Sequence, residues 1–404
     1  MNRRSFLQTG AGLAAAAASG QSPPRKKIAG LSTTYHVRSH SDNFITRFLE
    51  GYWINERHYP PPGDIVSLYV DQTHPADISR RLSTAHGFKI YPTIADALTL
   101  GTGKLAVDGV LLIGEHGDYP TNARDQKLYP RYEFFQQVVE VFRGSGRAAP
   151  VFVDKHLSHD WMQAKWMYDQ SRELGFPMMA GSSGPVTFRR PELDFPLDTE
   201  FEDALGVYSG WIGDGGVFHA LEAIQCFVER RRGGETGIRA VERIEGEAVW
   251  KAGAEGRWSR QMMQAALARG RKVVPGRPEE LVKRPVACFL EYNDGFRATI
   301  LMLGGMVSES LVALRVKGRR EIAATLCYVP IENSNNFSPL VDAIARMFIT
   351  GKTDYPVERT LLTTGALSLL MESAYQGQKR LETPMLNINY RAPKQSYYAH
   401  GAGS

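Results

Sequence analysis

Groups able to do chemistry recur in this 404-residue chain just after short apolar runs. His36 follows Ile28 to Ser32, Asp71 and His74 follow Ile65 to Val70, Glu115 and His116 follow Val107 to Gly114, and Asp154, Lys155 and His156 follow Pro150 to Val153. Imidazoles and carboxylates gathered in one place can move protons, hydrogen-bond a polar substrate, or ligate a divalent metal that keeps one position open for water. His36, His74, His116 and His156 are the candidate metal ligands, drawn from separate segments with no recognised motif spacing. Such an ion would suit proton abstraction beside a carbonyl, by stabilising the enediolate. Further along, His219 and Glu222 stand three residues apart in an apolar helical pattern.

The elements that must position these groups alternate strictly from Lys27 to about Pro185. Apolar runs Ile28 to Ser32, Ile65 to Val70, Phe88 to Tyr91, Val107 to Gly114, Pro150 to Val153 and Pro177 to Ala180 read as strands. Helical patterns at Asp42 to Gly51, Ala76 to His86, Ile94 to Leu100, Tyr132 to Arg143 and Trp161 to Gly175 lie between them. This is the α/β grammar of a Rossmann-like, doubly wound parallel sheet, in which the carboxyl ends of the strands converge on a ligand crevice.

After Pro185 the strands follow one another: Phe201 to Tyr208, Ile238 to Lys251, Ala287 to Tyr292, Arg297 to Met302, Ser310 to Val316 and Glu321 to Tyr328, with a turn at Asp294-Gly295. Helical patterns at Val217 to Arg231, Ser259 to Arg269, Leu340 to Thr350 and Val357 to Gln376 are expected to pack on that sheet. The expectation is a C-terminal α+β domain with a largely antiparallel or mixed sheet. The domains are thus 25–185 and 186–390, with a tail at 391–404.

Residues 1–24 read as a twin-arginine export signal: Arg3-Arg4-Ser5-Phe6-Leu7, a short alanine-rich apolar segment, and small residues at Ala18-Ser19-Gly20. The apolar segment is short of the roughly 20 residues that a bilayer span needs. A periplasmic or secreted protein, handed folded to the twin-arginine export machinery and without membrane anchoring, is the expectation. The formal charge of +5 includes the two signal arginines, and no block of like charges marks a nucleic-acid surface. Cys226, Cys288 and Cys327 are scattered and odd in number, which argues against a disulfide framework or a zinc ribbon.

The segment Pro150-Val151-Phe152-Val153-Asp154-Lys155-His156-Leu157-Ser158, with the following helix, Gly175 and Pro177 to Gly181, resembles the E-K-P segment of the Gfo/Idh/MocA family of two-domain sugar and polyol oxidoreductases. Ile90 to Leu98 resembles the family's short third helix, Val107 to Ile113 its fourth strand, and Asp214-Gly215-Gly216 the glycine pair that opens its catalytic-domain helix. The resemblance implies that Lys155 lies beside nicotinamide and substrate hydroxyl, where an ammonium orients the hydroxyl and stabilises developing alkoxide. It implies proton transfer by His219 or His156, with Glu222 replacing the family's usual partner only loosely. It further implies a small-molecule carbohydrate substrate, and a homo-oligomer paired through the open face of the second-domain sheet.

The resemblance breaks at the first strand-to-helix turn. A dinucleotide fold uses G-x-G-x-x-G there, and this chain has Gly30-Leu31-Ser32-Thr33-Thr34-Tyr35-His36-Val37-Arg38. Gly30, Ser32, Thr33, Thr34, Asp71 and His116 are the candidate contacts for NAD(P), with Arg38 as a phosphate partner and Asp71 at the adenosine ribose. Outside the cytoplasm such a dinucleotide must be tightly held and recycled. The alternatives from the same residues are a non-redox, metal-assisted sugar lyase or isomerase and a carbohydrate-binding protein.

Overall fold

The computed structural model describes residues 25–209, 212–330 and 332–401, the side chains of residues 332 and 333 excepted. The proposed export signal lies outside them. Six strands, β1 (Lys27–Ser32), β2 (Asp64–Val70), β3 (Lys89–Ile90), β4 (Gly109–Ile113), β5 (Val151–Asp154) and β6 (Met178–Gly181), form one sheet in the order β3-β2-β1-β4-β5-β6. Every pairing in it is parallel. The order reverses between β1 and β4, which opens a crevice above the carboxyl ends of these strands. β4 and β5 are buried throughout, as expected of a parallel sheet covered on both faces.

Eight further strands build a mixed sheet. They are β7 (Phe188–Arg190), β8 (Phe201–Tyr208), β9 (Ile238–Glu245), β10 (Val286–Tyr292), β11 (Arg297–Met302), β12 (Ser310–Val316), β13 (Ala323–Tyr328) and β14 (Leu381–Glu382). Their order is β14-β9-β10-β11-β8-β12-β13-β7, with β8 parallel to β11 and the other neighbours antiparallel. A hairpin of Tyr52–Ile54 and Arg57–Tyr59 stands apart. Among the described residues no helix is long and apolar enough to cross a membrane.

Three local features depart from the sequence pattern. The apolar run expected as strand to Lys251 breaks at Gly246, whose φ of 68° ends β9, and Glu247–Ala254 is helical. That helix and Arg260–Leu267 lay Val249, Trp250, Met262 and Met263 on Leu205, Val207, Leu301 and Ala313. Helices Asp214–Val228 and Val357–Tyr375 cover the opposite face. The sheet face expected to be open for subunit pairing is therefore covered by this chain itself. Finally, helix Ser338–Thr350 packs not on the second sheet but on the first, with Leu340, Ile344 and Phe348 among Ile28, Phe48 and Leu111. The chain thus returns to its first lobe before Val357–Tyr375 bridges both cores.

Candidate functional site

Lys155 follows β5 at φ 71°, a left-handed conformation costly for a residue with a Cβ. This turn breaks the strand's alternation and separates neighbours. Lys155 enters the cleft between the lobes, while His156 is directed towards Arg131 and Phe218. Lys155 is 3% exposed, and its backbone N–H donates to the Gly181 carbonyl at 3.1 Å. Its Nζ lies 2.5 Å from His219 Nε2, and 4.0 Å from Glu115 Oε1.

His219 is set by its helix, Asp214–Val228, one turn in from Gly213. Its Nδ1 is 3.0 Å from Ser182 Oγ. With Lys155 donating to Nε2, the imidazole is neutral and Nδ1–H donates to the serine. Burial, and then the Lys155 ammonium, push the His219 pKa well below its usual value. The site therefore joins an ammonium to a neutral imidazole whose Nε2 lone pair it engages.

Glu222 lies one turn further along and does not enter the cleft. Its Oε2 accepts from the Ser182 N–H at 2.7 Å, which fixes the serine that orients His219. A Cβ at Gly181, where φ is 126°, would meet Glu222 Oε1 at 2.4 Å, so this approach needs glycine. Burial pushes the Glu222 pKa up to about 7 against the lowering hydrogen bonds from Ser182. A carboxyl raised in the folded state binds more protons than the unfolded chain between the two pKa values, so its contribution to stability is present at low pH and lost as pH rises through about 7. Glu222→Gln should flatten the fall in denaturation midpoint between about pH 5 and 8; a slope equal to that of the parent would remove this assignment.

His156 stands apart from Lys155: its Nε2 faces Arg131 Nη1 at 3.1 Å and its ring packs on Phe218, and it is not among the residues that bound the cavity beside Lys155. It likewise leaves the expected metal set. His36 stacks on His74 at 4.1 Å, and His116 stands 5.9 Å from His36. Among the described residues no group of three or more His, Cys, Asp or Glu side chains is placed to hold a metal ion.

Two groups at the crevice escaped the sequence reading. His40 Nδ1 lies 2.6 Å from Asp154 Oδ2, below Lys155. Burial pushes Asp154 up to about 6 and, with Lys155, pushes His40 well down. Arg131, 1% exposed, donates to Glu115 Oε2 at 2.5 Å. Burial would raise the Glu115 pKa, but Lys155 and Arg131 outweigh it and hold the carboxylate below its usual value. His40 was within reach of the sequence, four residues after His36. Arg131 carried no signal beyond opening a helical pattern.

The first turn differs most from its expected use. Gly30 lies inside β1, where a Cβ would sit 3.0 Å from Ile45 and Leu68 side chains. It serves packing rather than phosphate approach. Ser32 Oγ contacts Ser41 Oγ and the Thr34 carbonyl. Thr33 donates through N–H to Ile113 and through Oγ1 to Glu115. Arg38 is exposed and lines an outer groove with Asp42 and Trp53, and its N–H donates to the Asp42 carboxylate at 2.8 Å. The helix start that would otherwise attract an anion thus already has its own carboxylate.

Side chains nevertheless fit a polar ligand along the crevice. Thr34 Oγ1, His116 Nε2 and Asp154 Oδ1, at the ends of neighbouring strands β1, β4 and β5, are buried without a hydrogen-bond partner among the described residues. Leaving such groups unmet costs about 1–3 kcal/mol each, and ligand hydroxyls or phosphate oxygens would satisfy them. Asp71, at the end of β2, is exposed and accepts from Tyr69 and Tyr119 hydroxyls at 2.7 and 2.6 Å. Next to Lys155 and His219 lies a cavity of about 220 Å³, bounded by His40, Ser182, Tyr208, Asn336 and Phe337.

No protein-family model and no curated protein matches the chain. Solved structures do. GenD2 from gentamicin A biosynthesis, in complex with NAD, superposes with TM-score 0.52 at 13% identity over 91% of this chain and 99% of its own. The apo scyllo-inositol dehydrogenase from Lactobacillus casei gives 0.52 at 10% identity over 89% and 98%. A Gfo/Idh/MocA family oxidoreductase from Vibrio cholerae gives 0.52 at 14% over 88% and 100%. The two-lobe fold of this chain is similar to that of these oxidoreductases, one of them a Gfo/Idh/MocA family member.

Proposed function

We infer that the chain is an oxidoreductase acting on a hydroxyl of a sugar or sugar derivative in the cleft between its lobes. The observation that carries this reading is the Lys155–His219 contact of 2.5 Å at the wall of the cavity. A substrate hydroxyl that takes the place of Lys155 at His219 Nε2 gives its proton to that nitrogen of the neutral imidazole as the carbon is oxidised. The Lys155 ammonium faces the oxygen as negative charge develops, in a site where burial strengthens the interaction. Ser182 steadies the imidazole through Nδ1, and Glu222 steadies Ser182.

NAD(P) is the proposed partner; when bound it would supply the hydride acceptor. Thr34, His116 and Asp154 would hold it through side chains, with Asp71 towards its adenosine end, because the turn lacks a glycine cradle. GenD2 was solved with NAD on this fold, which supports the choice. Export through the twin-arginine sequence at Arg3-Arg4 belongs to the same proposal and requires that the dinucleotide travel with the folded chain. Self-association would use a surface other than the covered second sheet.

Denaturing extraction of the purified mature chain should release a dinucleotide, and a panel of inositols, hexoses and aminosugars should include one that changes its absorbance near 340 nm. An intact chain that neither carries nor binds NAD(H) or NADP(H) would overturn the redox reading.

A further inference from the structure

The cavity beside Lys155 is not closed. Tyr208, Ser310, Cys327 and Val329 bound it and also bound a second chamber of about 470 Å³ that continues along the ends of β8, β12 and β13. The outer chamber is lined by Arg271, Lys272, Glu309 and Tyr328. An inner space of about 220 Å³ suits one sugar ring, and the outer space leaves room for more than that ring.

The two cations are carried on a fixed backbone. Glu309 Oε2 accepts from the N–H groups of Arg271 and Lys272 at 2.7 and 2.9 Å. Two residues on, Val274 N–H donates to the Met306 carbonyl at 2.8 Å, and Val273 bridges Val307. The Glu309 carboxylate is thereby engaged by amides, and neither cationic side chain has an ion-pair partner among the described residues. The Arg271 guanidinium lies 5.3 Å from the centre of the Tyr328 ring, and Arg190 lies 3.6 Å from it. Arg271, near the Tyr328 ring, and Lys272 together bring positive charge to a chamber that also has an aromatic side chain in its wall. Those are the features that recognise a sugar ring bearing a carboxylate.

We propose that the outer chamber is a subsite for an acidic sugar unit, so that the substrate is an acidic disaccharide or glycoside whose neutral ring reaches Lys155 and whose carboxylate meets Arg271 and Lys272. This deepens the function inferred above and rests on it for the identity of the reacting ring, but not for the charge preference. Binding can be followed calorimetrically on the mature chain with two probes: glucuronic acid linked to glucose, and the corresponding glucose disaccharide. The acidic probe should bind about tenfold more tightly at low salt, one charge-assisted contact being worth about that much. That preference should shrink at high salt, disappear in R271Q/K272Q, and reverse in R271E/K272E. Equal binding of the two probes, no binding of either, or a preference unchanged in these variants would overturn the subsite. Charge preference without turnover removes the redox reading alone; turnover without charge preference removes the subsite alone.

Discussion

Replacing Lys155 with alanine should lower kcat/KM on the sugar substrate by about a thousandfold, within the range expected when a positioned acid–base group is removed. The effect should fall on kcat more than on KM, because the ammonium matters most as charge develops on the oxygen. Folding should survive, since Glu115 keeps Arg131 at 2.5 Å when Lys155 is gone. A second readout separates chemistry from packing. Lys155 is, after burial, the main influence lowering the pKa of His219. Its removal raises that pKa, so the acidic limb of the residual pH–rate profile should move to higher pH. Activity within tenfold of the parent, or an unmoved limb, would discard the proposed pair.

Arg131→Met should destabilise the first lobe by about 3–5 kcal/mol, the usual cost of leaving one member of a buried ion pair alone. Arg131 is 1% exposed, donates to Glu115 and faces His156. The methionine variant strands the Glu115 carboxylate 4.0 Å from Lys155. Lys155 would then be drawn towards Glu115 and away from His219, so turnover should drop together with the denaturant midpoint. Adding Glu115→Gln should recover part of the stability, because both charges then leave together. Chemical denaturation followed by tryptophan fluorescence would decide. A double variant no more stable than the single one would show that the pair is not the source of the loss.

Much of the fold was legible because helix and strand periodicities are local. β8, β11 and β12 occupy the expected residues, and the six strands of the first sheet differ from expectation by a residue or two at their ends. The miss at Glu247–Ala254 came from an apolar run that suits either element, decided by Gly246 and by burial on the second sheet. Helix Ser338–Thr350 was found correctly but assigned to the wrong lobe, since periodicity says which face is apolar and not what covers it. At the site, Lys155 and His219, both candidates from the sequence, lie in contact. His156, also a candidate from the sequence, lies against Arg131 and Phe218, because adjacency in sequence says nothing of direction once the backbone turns left-handed.

By itself the sequence determined the alternation that makes a parallel sheet, and with it the gathering of His36, Asp71, His116, Asp154 and Lys155 at one set of strand ends. Only the tertiary structure decided which of those groups face one another. The left-handed turn at Lys155 parts it from His156, and residues distant in sequence supply the partners: His40 for Asp154, Arg131 for Glu115, Ser182 and Glu222 for His219. Long-range packing and electrostatics choose those partners, and neither leaves a periodic trace in the chain.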